Sequence, residues 1–178
     1  EVYFLLAEAA LHGFAVGGTA ESLYEKGIEM SFEENGIASS EVADYMSSGL
    51  KPSVYSFHLT NPSVNVDAPA LTQATTEWTG TDEEKLEKIM IQKWIALYPN
   101  GQEAWTEYRR TGYPKLHSTI TNYSNGEVDS EVGIRRMRFP TNKSTSAEDI
   151  ANLESARKLL RGGLDKAGTR LWWDNKNH

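Results

Sequence analysis

The chain has 178 residues, enough for one domain with a sizeable apolar core. Its formal charge of −7 disfavours nucleic acid as a partner, because phosphate backbones are held by clustered Lys and Arg. There is no cysteine, which excludes disulfides, thiolate-bound zinc and thiol catalysis and leaves the redox compartment open.

No run of about eighteen apolar residues is present to cross a membrane as a helix. Glu1 opens directly into helix-like sequence without Met, cap or signal peptide, so the chain reads as part of a longer protein. Val2–Leu11 is apolar except at Glu8, which predicts a helix buried on several sides. Glu8 then needs an ion pair or hydrogen bond within the fold, the alternative being a catalytic carboxylate. Residues 13–18 are a glycine-rich connection, and Thr19 is placed to cap a helix over about Ala20–Asn35. Leu23, Tyr24, Gly27, Ile28, Met30 and Ser31 recur there at helical spacing, with Gly27 allowing close approach.

Two helices joined by a short loop predict an antiparallel hairpin, the shape of a tetratricopeptide unit. No second copy follows at a period of about 34 residues, and one hairpin leaves its outer face uncovered. Exposed apolar surface of that kind predicts self-association as a concentration-dependent dimer. Ser40–Ser48 reads as a short third helix ended by Gly49, completing a helical region over residues 1–49. Residues 50–80 read as a long loop punctuated by Pro52, Pro62 and Pro69, with one short strand suggested by Val64 and Val66.

Residues 81–114 carry the clearest local signals. Thr81 and Glu84 have capping-box spacing, and Asp82, Glu83 and Glu84 place negative charge at the positive end of a helix dipole. Leu86, Ile89, Met90, Trp94, Leu97 and Tyr98 predict one wide apolar stripe. Pro99-Asn100-Gly101 ends that helix and a second, shorter one carries Trp105, Tyr108 and Arg109, the indole and guanidinium sharing a face. Gly112 is suited to C′ and Pro114 prevents continuation. In 115–178 a long irregular region holds a turn at Tyr123-Ser124-Asn125-Gly126 and an extended segment at Ile134–Phe139. Ser146 caps a last helix, about Ala147–Arg161, stopped by Gly162-Gly163 and followed by Leu171, Trp172, Trp173 and a polar, disordered tail.

No catalytic signature is present. His12, His58 and His117 lack zinc-ligand spacing, and no nucleophile elbow or phosphate-cradling glycine motif occurs, so no cofactor or metal is expected. The acidic cluster at Asp82–Glu84 reads as a helix start rather than a metal site. Asn122-Tyr123-Ser124 and Asn142-Lys143-Ser144 match the glycosylation acceptor pattern by chance. Arg109-Arg110 and Arg135-Arg136 read either as anion sites or as structure: caps for helix carbonyls and ion pairs with Glu8, Glu103 or Glu107. The structural reading is favoured. Trp94, Trp105, Trp172 and Trp173 read as core. Trp78 and Tyr123 lie in polar stretches instead, Tyr123 between Asn122 and Asn125. Exposed aromatic faces stack on the apolar face of a sugar ring while amides bond its hydroxyls, so Trp78, Tyr123, Asn122 and Asn125 are the candidate ligand-binding residues. On that reading Trp78→Ala weakens binding without lowering the melting temperature.

Four stretches in order, EVYFLLAEAALHG, QKWIALYPNGQEAWTEYRRTGYPKL, GIRRMRFP and GGLDKAGTRLWWD, resemble the SusD-like (RagB-like) family and span Val2 to Asp174. Lys143 stands where many members carry Glu, which puts one ion pair in doubt. The resemblance implies a mainly α fold, with tetratricopeptide-like helix hairpins and long irregular loops, corresponding to the C-terminal part of a longer member. It implies a non-catalytic lipoprotein of the bacterial outer-membrane surface, anchored by lipid outside this stretch. Such a protein binds a glycan or oligosaccharide and delivers it to a SusC-like TonB-dependent transporter. Two alternatives stay open: a peptide ligand, or a scaffold or transporter-contact segment with no ligand site of its own.

Overall fold

The computed structural model describes residues 1–61, 65–119, 121–140, 146–160, 162 and 164–174. Among them the elements run α1 (Val2–Leu11), α2 (Ala20–Glu34), α3 (Ser40–Ser47), β1 (Tyr55–Phe57), β2 (Val66–Ala68), α4 (Asp82–Ala96), α5 (Gly101–Thr111) and α6 (Ala147–Lys158). The mainly helical class is observed. Val64, Asn142, Lys143, Arg161, Gly163 and the tail from 175 onward lie outside the described residues. The chain divides into two compact units, one of Glu1–Tyr108 with Tyr113–Leu116, the other of Arg109–Gly112 with His117–His178.

In the first unit α1 packs on α2 and α4, and α2 on α3 and α4. Phe4, Ala7, Tyr24, Ile28, Ile89 and Met90 form the centre of its core. Gly27 permits the α1–α2 approach: a Cβ built there would lie 2.6 Å from Cε1 of Phe4. The Thr19 hydroxyl accepts from Ser22 N at 3.1 Å, so α2 starts where the cap residue predicts. α1 is less enclosed than its composition suggests. It buries Phe4, Ala7 and Glu8, while Val2 and Leu5 on its other side are 65% and 42% exposed. The buried Glu8 has His12 Nε2 at 3.9 Å.

The loop after α3 contains an antiparallel hairpin, with Tyr55 opposite Ala68 and Phe57 opposite Val66. Further along, Thr76 anchors the irregular chain. Its carbonyl accepts from Tyr24 Oη at 2.8 Å, and its hydroxyl lies 3.0 Å from the Tyr45 carbonyl. Trp78 follows, and its ring packs on Tyr24 with centroids 5.0 Å apart. The indole is therefore half-buried against the core, not the exposed platform its polar neighbours suggested.

α4 starts with the predicted capping box: Thr81 Oγ1 accepts from Glu84 N, and the Glu84 carboxylate accepts from Thr81 N at 2.7 Å. The apolar stripe is corrected at both edges. Tyr98 lies past the helix end and is 89% exposed, whereas Glu87, Lys88, Gln92 and Lys93 are buried. Lys93 is 1% exposed and faces Glu107 at 3.2 Å, with Glu1 at 3.8 Å and Glu103 at 4.0 Å. Charge pairing thus lets α4 bury a wider arc than its apolar residues cover.

The second unit is organised by buried arginines. Arg135 is fully buried; its Nε and Nη2 donate to the two oxygens of Asp174 at 2.7 and 2.6 Å. Arg135 Nη2 also donates to the Arg109 carbonyl at 3.1 Å, and Arg109 Nη1 returns a bond to the Arg135 carbonyl at 3.0 Å. The Arg109 guanidinium lies 4.9 Å from the Trp173 ring centre. Arg136 donates to Asp165 at 2.6 Å and lies over Phe139. Burial alone would raise the Asp165 carboxyl; its bonds from Arg136 and the Phe139 N–H hold it below the usual carboxylate range. Carbonyl capping by an arginine is as expected, but the partners Asp174 and Asp165 lie 39 and 29 positions along the chain, where no local pattern marks them. Ile134–Phe139 forms no strand; instead the N–H groups of Arg135 and Arg136 both donate to the Ala167 carbonyl. Trp172 is 77% exposed and not core, while Trp94, Trp105 and Trp173 are half-buried. α6 ends at Lys158, and none of its described residues is buried.

Three substitutions test this packing by thermal and chemical denaturation. Gly27→Ala is expected to cost about 1–3 kcal/mol, because the fully buried Phe4 ring has nowhere to move. Arg135→Met and Asp174→Asn are each expected to cost about 3–5 kcal/mol, since either leaves a buried charge unpaired; the double variant should cost less than their sum. Trp78→Ala should cost about 2 kcal/mol and lower the melting temperature, contrary to its reading as a surface platform. An unchanged melting temperature would return Trp78 to the candidate site.

Candidate ligand-binding site

Three of the four residues singled out from sequence, Asn122, Tyr123 and Asn125, share one loop of the second unit; Trp78 belongs to the first unit. The exposure expected of a stacking platform is found at Tyr123, which is 88% exposed. Local chemistry explains how the loop presents it. Asn122 Nδ2 donates to the Val128 carbonyl at 2.8 Å and to Ser130 Oγ at 3.0 Å, while its Oδ1 accepts from Ser124 N at 2.9 Å. The side chain thus mimics backbone and closes an Asx-type turn across Tyr123. Ser124 begins the next turn, its carbonyl accepting from Glu127 N at 3.1 Å. Asn125 and Gly126 occupy the two central positions with φ of 53° and 80°, the left-handed pair that Asn-Gly adopts most readily. The turn is therefore centred one residue later than the predicted tetrad.

A second segment completes the geometry. Lys166 Nζ donates to the Gly126 carbonyl at 2.8 Å, and Gly168 N donates to the Glu127 carbonyl at 2.9 Å. A Cβ at Gly168 would come within 3.2 Å of Asp129 N, so glycine permits this approach. Between the two segments lies a cleft of about 370 Å³, bounded by Asn122, Glu127, Asp129, Ser130, Lys166 and Thr169 among others. Its wall offers hydroxyl, amide, ammonium and carboxylate groups within one unit. That arrangement suits hydrogen bonding to a hydroxylated ligand beside an aromatic face. No grouping of three or more metal-ligating side chains occurs among the described residues.

The turn was legible from Asn125-Gly126, but the contribution of Lys166–Thr169 was not, because it lies some forty positions away and carries no local marker. A larger cleft of about 700 Å³ lies in the first unit, and none of the four predicted residues lines it.

Known proteins share this architecture. Residues 1–174 match the SusD-like family model, described as SusD and RagB outer-membrane lipoproteins. A SusD homologue from Bacteroides ovatus is 41% identical with a TM-score of 0.88, the match covering 98% of this chain and 36% of that one. A chitin-binding SusD homologue from Flavobacterium johnsoniae is 41% identical with a TM-score of 0.79, over 98% of this chain and 35% of that one. A third, from Bacteroides thetaiotaomicron, is 38% identical with a TM-score of 0.85, over 99% and 37%. No curated protein matches the chain. This chain thus spans little more than a third of the solved structures it matches, and over that span it belongs to the SusD-like family.

Proposed function

We propose that the protein is a non-catalytic component of the bacterial outer-membrane surface that holds a glycan or oligosaccharide and delivers it to a SusC-like TonB-dependent transporter. Attachment to the membrane would be through a lipid anchor outside this stretch. The observation that supports the ligand site is the 88% exposed Tyr123, next in sequence to Asn122, which lines the polar cleft with Lys166, Gly168 and Thr169. In this reading Tyr123 stacks on a sugar face. Ser130, Lys166 and Thr169 bond its hydroxyls, and Asn122 and Asn125 shape the loop. A chitin-binding relative favours a glycan over a peptide as the ligand.

A scaffold role without a ligand site is the second reading. It is favoured by the commitment of both Asn122 amide protons to its own loop. Calorimetry against a panel of polysaccharides, oligosaccharides and peptides separates the two. Tyr123→Ala is expected to weaken the glycan that binds best by about tenfold, equivalent to about 1.4 kcal/mol. The melting temperature should not change, because the ring is almost wholly in water. Unchanged affinity would remove Tyr123 from the site, and silence across the panel would favour the scaffold.

A further inference from the structure

The larger cleft of the first unit lies along Ala70–Gly80 and the first two turns of α4, and includes Lys115. Its volume of about 700 Å³ is that of a small-ligand site. Three carboxylates, Glu77, Glu84 and Glu87, and two ammonium groups, Lys88 and Lys115, line it, so carboxylates outnumber cations.

Two of these charges have fixed structural duties. The Glu84 carboxylate caps α4 through Thr81 N and Oγ1, at 2.7 and 2.9 Å. Lys88 is buried; its Nζ donates to the Glu77 carbonyl at 2.5 Å and to Thr79 Oγ1 at 3.1 Å. Burial pulls the Lys88 ammonium below its ordinary range.

Glu87 is different. It is 7% exposed, and its Oε1, out of contact with solvent, accepts no hydrogen bond. Lys115 Nζ stands 3.9 Å from that oxygen, beyond hydrogen-bond distance, on a side chain that is 49% exposed. A buried carboxylate oxygen without a donor is costly, and a loose, half-exposed ammonium offsets that cost incompletely. A half-exposed cation that comes no nearer than 3.9 Å marks the place where an external one would sit. A ligand ammonium entering there would find the acceptor preformed and could approach closer than 3 Å.

The neighbouring walls add recognition of a second kind. Thr72 Oγ1 accepts from Ala74 N at 3.0 Å, which leaves the hydroxyl proton to give. Gln73 accepts through Oε1 from Lys51 at 2.7 Å, and its amide nitrogen can donate.

We infer that this cleft binds the primary ammonium group of an amino sugar, with Glu87 as its acceptor and Lys115 as the cation it displaces. The site belongs to the other unit from Tyr123 and does not depend on that ring.

Calorimetry of the whole protein tests this with a glucosamine tetramer, its N-acetylated counterpart, and a tetrapeptide with a free amino terminus. The glucosamine tetramer should bind at least about tenfold more tightly than the N-acetylated form, the difference expected of one charge-assisted hydrogen bond. Glu87→Gln should weaken it by about tenfold or more, and Lys115→Met should tighten it by roughly fivefold, because no tethered cation then competes. Equal binding of the acetylated form, no binding of the amine, or indifference to Glu87→Gln would overturn the proposal. If Glu87→Gln does not fold, Lys115→Met decides: tighter binding supports the site, and unchanged or weaker binding overturns it. A peptide bound as tightly as the glucosamine tetramer would overturn the assignment to an amino sugar.

Discussion

A guanidinium with no access to water must have its charge and its protons answered where it lies. Arg135 meets most of that demand through Nε and Nη2, with both oxygens of Asp174 and with the carbonyl of Arg109. Desolvating such an ion is costly, and the mutual attraction compensates only when the geometry is close to ideal. Two bonds at 2.6 and 2.7 Å to one carboxylate supply that geometry. The consequence reaches beyond the pair. Residues 109, 135 and 174 are distant in sequence, and the latter two lie in irregular chain, yet their positions are mutually determined. Ala167 joins them by accepting the backbone N–H groups of Arg135 and Arg136. Among its described residues the second unit has α6 as the one α-helix wholly its own, so this network does the positioning that packed secondary structure does in the first.

The first unit solves a related problem with aromatic rings. The Tyr24 hydroxyl, raised above its ordinary range by burial, donates to the Thr76 carbonyl, and the Tyr24 ring meets both Phe4 and Trp78. One side chain on α2 thus satisfies a buried polar group and supports an otherwise unstructured segment. Lys88 serves the same segment from α4 through the Glu77 carbonyl and Thr79. The Thr76–Thr79 stretch is held from two helices without a strand or helix of its own, which gives the adjoining cleft a firm wall.

Much of this was legible where the determinant is local. Thr19, Thr81 and Ser146 each mark a helix start that the structure confirms by a capping bond. Gly27 foretold the close helix pair because only a missing Cβ allows it. What escaped was whatever depends on partners far along the chain. Trp78 reads as exposed among its polar neighbours, and its burial is decided by Tyr24, more than fifty positions earlier. Tyr98 looks like core by its position in the apolar pattern and Trp172 by residue type; Tyr98 faces water past the end of α4, and Trp172 faces water within the turn that Asp174 N closes on the Leu171 carbonyl. Lys93 and Glu87 look like solvated charges on α4, and their burial follows from how much of that helix is covered. In the candidate site Asn125-Gly126 declared its turn, while the opposite wall from Lys166 to Thr169 gave no sign.

The distribution of satisfied and unsatisfied groups has a bearing on recognition. The Tyr123 loop spends the Asn122 amide and the Ser124 hydroxyl on itself: both bond the Val128 backbone, Asn122 also bonds the Ser130 hydroxyl, and Lys166 closes over Gly126. A ligand meeting this loop does not have to order it, so little of the contact energy is lost to conformational entropy. The cost is that Asn122 has no protons left to give, and hydroxyl recognition must fall to the cleft walls rather than to the loop that holds the ring. The Glu87 cleft is built the opposite way, with one acceptor left unanswered beside a cation that can leave. The first arrangement favours weak contact with any sugar face that lies flat on a phenol. The second rewards a single chemical group and penalises its absence, and buried polar groups discriminate in that manner. On the two proposed readings, capture and selectivity fall to different units.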